Sequence, residues 1–314
     1  MSLKRQRCEV AFKWLRGTSF HLECLHQIIA EYATAFEGMQ LKTFRLKAAM
    51  HCLVALPDGN LASGAKDGGV HIWNTDGETL SVLRGHLSYV AALAVLGPHT
   101  IASASGDHTV KVWHLGTCIQ TLTGHHNVLR DLTVATGGQL VSASEDTTLR
   151  VWDTHTWQCQ HVMTGHMQSV DILAPLLNGY VVSSAWDHTM RVWDLNSGTC
   201  VQVLRGHDNY VCSLAVLSNG NLASAAWDKT IKIWGADKCE LAIPVKDFSG
   251  YLRLCAMPDG CLACVGVFDV TIYDPAGQLL FALNLGAFGG TATVVMADGS
   301  LLALTNSGAA VLWE

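Results

Sequence analysis

The stretch SSAWDHTMRVWD (residues 183–194) returns 41 residues later as SAAWDKTIKIWG (224–235). Each copy carries a tryptophan before an aspartate (Trp186, Trp227) and another seven positions on (Trp193, Trp234). The later tryptophan belongs to a longer series: Trp73, Trp113, Trp152, Trp193, Trp234, Tyr273 and Trp313 lie 40, 39, 41, 41, 39 and 40 residues apart. A fixed period of this size marks stacked or radial repeats. It divides the chain into seven units.

Polar residues keep the same register. Six positions before the aromatic, units one to five carry Asp67, Asp107, Asp146, Asp187 and Asp228. Four positions earlier stand Ser63, Ser103, Ser142, Ser183 and Ser224. In units two to five a Gly-His pair puts His86, His125, His166 or His207 21 residues before the aspartate. Segments such as TVKVW and TIKIW alternate polar and apolar residues with β-branched side chains, which reads as strand. NG, DG and GG pairs separate the runs, and Gly106-Asp107 reads as a tight turn. Each unit has room for four short antiparallel strands.

These residues resemble the WD-repeat family, whose units open near Gly-His and close near Trp-Asp. The resemblance covers residues 40–314 and is weaker in units one, six and seven. It implies an all-β fold: a seven-bladed β-propeller of four-stranded antiparallel blades. The chain ends on what reads as the third strand of unit seven, and QLKTFRL (40–46) resembles the fourth strands of other units. Residues 40–46 are therefore expected to complete blade seven, removing a sheet edge.

The resemblance assigns His, Ser, Asp and Trp of units two to five to hydrogen-bonded tetrads: His86/Ser103/Asp107/Trp113, His125/Ser142/Asp146/Trp152, His166/Ser183/Asp187/Trp193 and His207/Ser224/Asp228/Trp234. The carboxylate can accept from the imidazole and turn amides, and the serine can bridge to the indole N–H, because buried polar groups need partners. Ser, His and Asp recurring in four units argue against a catalytic triad, and no GxSxG elbow occurs. Unit one has Arg45-Leu46 where Gly-His would stand. Unit six has Cys264 and Phe268 near the Ser and Asp places, and unit seven has Ala303 and Ser307. These three units are expected to rely on apolar packing.

Trp186 and Trp227 match Lys66, Gly106 and Glu145 of the other units, so the position does not demand an aromatic. The turn lies at the same end as the Gly-His loops, conventionally the top. The resemblance adds the third and fifth residues after the histidine as contact positions. The composite candidate surface is Trp186, Trp227, Tyr210, Tyr89, Arg130, Asp171, Glu145, Lys66 and His51. Clustered Trp, Tyr and Arg are typical anchors of protein interfaces. The alternative open at this point is that the indoles cover apolar loop edges or pack into the central channel.

Residues 1–39 do not fit the repeat. Apolar residues at 22, 25, 28, 29, 32, 33 and 36 follow a helical period, with Ser19 a candidate N-cap and Gly38 a candidate stop. LECLHQIIAEYA has some likeness to an F-box helix. That likeness implies a ubiquitin-ligase adaptor as partner, whereas a simple packing helix needs none.

The remaining features narrow the function. The chain has 314 residues, 49 % hydrophobic and 15 % charged, with net charge −6. That suits a large core and lacks the basic face of a nucleic-acid binder. No apolar run reaches bilayer-spanning length, and no secretory segment opens the chain, so an intracellular protein without membrane contact is expected. Cys118, Cys159, Cys200 and Cys239 recur with the repeat and read as strand positions. Cys261 and Cys264 would face opposite sides of a strand, wrong for one metal. No metal, cofactor or catalytic residue is expected, and the reading is a non-enzymatic scaffold for a protein or peptide. Its rivals are a ubiquitin-pathway receptor, and an enzyme using His51, Lys66, Glu145 or Asp171 in the channel.

Overall fold

The computed structural model describes residues 41–45, 50–74, 78–176, 179–235, 238–245, 252–256, 260–265, 269–284, 290–295, 301–305 and 309–313. The N-terminal helical reading, the F-box likeness, Phe268 and Ser307 lie outside them. Among the described residues the regular structure is all β.

The repeat period becomes a repeated antiparallel meander. In unit two the strands are Val90–Gly97, Thr100–Ser105, Val110–His114 and Thr117–Leu122, hydrogen-bonded in that order. Six sheets follow this chain order. The seventh pairs Gly290–Val295, Leu301–Thr305 and Ala309–Trp313 with Leu41–Arg45, whose Leu41 faces Trp313 in the register. The first strand of each sheet packs beside the first strand of the next, from the seventh sheet through the first and on to the sixth.

In units one to five the second strand is the most buried. Leu61–Ala65, Leu140–Ser144 and Leu222–Ala226 are buried at every residue. Their small residues fit because both faces are covered by neighbouring sheets. The core lies between sheets: Val182, Val192 and Leu204 of unit four pack with Val211, Leu222 and Trp234 of unit five. The fourth strands of units three and five, Cys159–Met163 and Cys239–Pro244, alternate half-buried and exposed residues over their first four positions, as an outer edge should.

The turn before the third strand differs from the two-residue turn read at Gly106-Asp107. His108 N–H donates to Ser105 O, and His108 has φ 68. This is a three-residue hairpin whose last residue is left-handed. The same backbone recurs at Thr147, His188 and Lys229, with φ 71, 63 and 64. Unit one places Gly68 there (φ 80). Sequence inspection overlooked this position because four units spend a side chain where glycine is the easier residue.

Candidate functional site

The four tetrads form at one end of the sheets. In unit two, Trp113 Nε1–H donates to Ser103 Oγ at 2.8 Å, and Ser103 Oγ lies 2.7 Å from His86 Nε2. His86 Nδ1 lies 2.8 Å from Asp107 Oδ2. The ionised Asp107 can only accept, so His86 Nδ1–H donates to it. Nε2 of the neutral imidazole is then an acceptor, the serine donates its proton there and accepts the indole, and every member is satisfied. Units three, four and five repeat the arrangement, with His–Asp distances of 2.8, 2.9 and 2.7 Å.

A fifth member joins each tetrad. Thr109 donates through its N–H at 3.0 Å and its hydroxyl at 2.7 Å to Asp107 Oδ1. Thr148, Thr189 and Thr230 do the same. The signal was present as Asp-x-Thr in all four units. Burial pushes the Asp107 carboxyl up, but donors from Leu87, Thr109 and His86 outweigh it and hold it at about 2. Asp146, Asp187 and Asp228 are likewise lowered against the same burial effect. Burial lowers His86 and His207, opposed by their aspartates.

Unit one differs from the expectation of apolar packing alone. Trp73 still donates to Ser63 Oγ at 2.6 Å. His71 stacks on Trp73, with centroids 5.5 Å apart and planes at 12°. Asp67 lies 3.6 Å from both His71 and Arg84. The indole keeps its acceptor, and a different ring covers it.

The tetrads position the candidate surface, because the residue before each turn aspartate is fixed by its backbone. The N–H groups of Gly106, Glu145, Trp186 and Trp227 donate to the carbonyls of Tyr89, Val128, Ser169 and Tyr210, at 2.9, 2.9, 3.0 and 3.0 Å. The nine candidates fall into three groups. Trp186, Tyr210 and Trp227 form a row, with Tyr210 5.8 Å from one indole and 5.2 Å from the other. Trp186 is 44 % exposed and Trp227 39 %, while Tyr210 also packs on the core of units five and six.

The second group joins units three and four. Arg130 Nε donates to Asp171 at 2.7 Å, and Arg130 Nη1 lies 3.8 Å from Glu145. The third joins units one and two, where the His51 ring lies 5.2 Å from Tyr89. A Cβ on Gly106 would come within 2.8 Å of the Tyr89 ring, so glycine leaves room for it. Burial lowers the His51 imidazole, with Lys66 and Arg130 adding to the effect. Lys66 itself is exposed.

Asp131 escaped the sequence reading. Its carboxylate accepts the N–H of Leu132 at 2.8 Å and of Leu173, in the next sheet, at 2.7 Å. Burial pushes its carboxyl up to about 6, against those two donors. An acid inside the strand LRDLTV (129–134), between Leu129 and Leu132, was the available signal. Cys264 is buried in Leu262–Val265, and Cys261 is buried just before it. Among the described residues, no three or more His, Cys, Asp or Glu are grouped to hold a metal. No helix among them is long and apolar enough to cross a membrane.

Residues 38–74, 77–114, 116–153, 157–194 and 198–235 match the model of the family described as WD domain, G-beta repeat, and together make up more than half of the chain. The chain belongs to the WD-repeat family. Among curated proteins, three match parts of this chain. The ubiquitin homeostasis protein lub1 of Schizosaccharomyces pombe is 37 % identical over 65 residues, 20 % of this chain and 9 % of that protein. A ribosome biogenesis protein WDR12 homolog of Anopheles gambiae is 27 % identical over 125 residues, 35 % of this chain and 29 % of that protein. The nuclear distribution protein PAC1-2 of Uncinocarpus reesii is 33 % identical over 88 residues, 26 % of this chain and 19 % of that protein. The chain thus spans less than a third of each relative.

Proposed function

We propose that this WD-repeat protein is a non-enzymatic interaction scaffold whose tetrad-bearing top face binds a protein or peptide. In this reading the seven sheets close into one seven-bladed propeller over residues 40–314, with 40–46 completing the seventh blade. Residues 1–39 form an extension to it. The observation that carries the binding site is the Trp186–Tyr210–Trp227 row. Two indoles stay more than a third exposed, at a position where units one to three form the same backbone turn with Lys66, Gly106 and Glu145. A rigid sheet framework holds residues from several units in fixed places, which lowers the ordering cost of binding.

The test is affinity capture from native cell extract with three baits: the full chain, residues 40–314, and Trp186→Ala/Trp227→Ala. Partners lost with the tryptophan pair, in a bait that melts like the wild type, support the site. Partners that all survive it overturn the site. A second reading, a receptor or adaptor in the ubiquitin pathway docking through residues 1–39, draws on the lub1 similarity. It requires a ubiquitin-ligase adaptor among the partners lost on removing residues 1–39.

A further inference from the structure

The residue before the turn aspartate changes character around the face: Lys66, Gly106, Glu145, Trp186, Trp227. In units two to five this residue is anchored by the same backbone bond. An acid in unit three therefore takes the place that an indole takes in unit four, the neighbouring sheet. The charges around that acid do not balance. Asp171 and Glu145 share one guanidinium, Arg130, which is committed to Asp171 at 2.7 Å and reaches Glu145 only at 3.8 Å. Glu145 stays 31 % exposed. Asp208, exposed, adds a further acid two residues before Tyr210. The exposed basic or titratable residues of units four and five include His188, Arg205 and Lys229, and from unit six the exposed Arg253 donates to Cys212 O at 2.8 Å, away from Glu145 in unit three. Met167 is 81 % exposed, and its N–H is held by Asp187, the residue after the Trp186 indole.

Resting on the top-face site proposed above, we infer that the partner presents a basic–apolar segment. A lysine or arginine lies against the Trp186 indole with its charge at Glu145, and a neighbouring apolar side chain lies on the Trp186–Tyr210–Trp227 row. An indole face attracts a cation through its quadrupole, and a half-exposed carboxylate in the neighbouring unit strengthens the attraction. The three-ring row supplies apolar area next to that point. The net charge of −6 on the whole chain favours the same partner sign.

The probe is a positional-scanning library of N-acetylated, C-amidated hexapeptides, screened against the full chain, with the best binder titrated by fluorescence anisotropy. Selection should enrich a basic residue next to an apolar one. Glu145→Lys should weaken the best binder by about tenfold and select an acidic residue in its place. Glu145→Gln should fall between, and both variants should melt like the wild type because the turn amide at 145 is retained. If Trp186→Ala/Trp227→Ala abolishes binding while neither Glu145 variant changes affinity or charge preference, the partner is apolar alone and this inference fails, with the top-face site intact. If the tryptophan pair changes nothing, both fail. A library without a binder also overturns the inference.

Discussion

Asp131 Oδ2 accepts the backbone N–H of Leu173, 42 residues on and in the neighbouring sheet, at 2.7 Å. In unit five Ser213 Oγ accepts Leu254 N–H at 2.9 Å in the same way. Asp131 is thus a charged version of an inter-sheet tie that a hydroxyl can also make. Its folded-state carboxyl, at about 6, lies above the ordinary value of about 3.9. The linkage therefore favours folding at pH below about 3.9 and is lost as pH rises through about 6. Asp131→Asn does not titrate, so the wild type should lose stability relative to it as pH rises across that window, on top of a constant cost to the variant because the amide NH2 meets one of the two N–H donors. Urea unfolding of both proteins at pH 4, 5, 6 and 7 measures the difference, and parallel profiles would refute the buried-acid assignment.

The tetrads predict the opposite slope. His86 and His207 are lowered by burial, and Asp107 sits at about 2. Each folded value lies below its unfolded one, so their stabilisation is complete above about 6.5 and fades as pH falls, first through the histidines and then below about 4 as the aspartates protonate. Imidazole resonances should show His86 titrating below the ordinary histidine value, with the neutral form carrying its proton on Nδ1. A His86 that titrates above the ordinary value, or a neutral form protonated on Nε2, would contradict the donor chain from Trp113 to Asp107.

Removing one tetrad acid should leave a buried histidine donor without its acceptor. Asp146→Ala should cost about 1–3 kcal/mol. Thr148→Val removes one hydroxyl donor while keeping shape, and should cost about 1 kcal/mol. Chemical denaturation ranks the two. A Thr148→Val protein as stable as the wild type would make the threonine a bystander.

Thr147 holds φ 71, a conformation that β-branched residues resist. Unit one uses Gly68 at the equivalent place. Thr147→Gly should therefore stabilise by about 0.5–1 kcal/mol, relief of left-handed strain outweighing the added freedom of the unfolded chain. A lower denaturation midpoint would show that the threonine side chain contributes more than its backbone costs.

Tyr210 is the middle ring of the aromatic row. Tyr210→Ala should uncover both indoles, shifting tryptophan emission to the red and raising acrylamide quenching. The unit-five tetrad through His207 and Trp234 should persist. Unchanged emission would mean that Tyr210 does not shield the indoles.

Much of this protein was legible from spacing. Strand alternation and tetrad members lie within one unit, and their contacts are set by local register. Ser103 meets Trp113 because ten residues of hairpin return the chain to the same face, and that recurs wherever Ser and Trp keep the spacing. The Thr donors were equally local, and the Asp-x-Thr pattern would have found them. The left-handed last residue of the turn was not legible in units two to five, since ordinary side chains stand there and only unit one marks the place with a glycine, Gly68.

What only the tertiary structure decided is how units meet. Arg130 with Asp171, His51 with Tyr89, Trp186 with Tyr210 and Asp131 with Leu173 each join neighbouring sheets. The sequence alone determined the repeat, its strands and the polar residues each unit buries. Whether side chains from two units touch depends on sheet twist and the packing of first strand on first strand, which are properties of the assembled core rather than of any single stretch of chain.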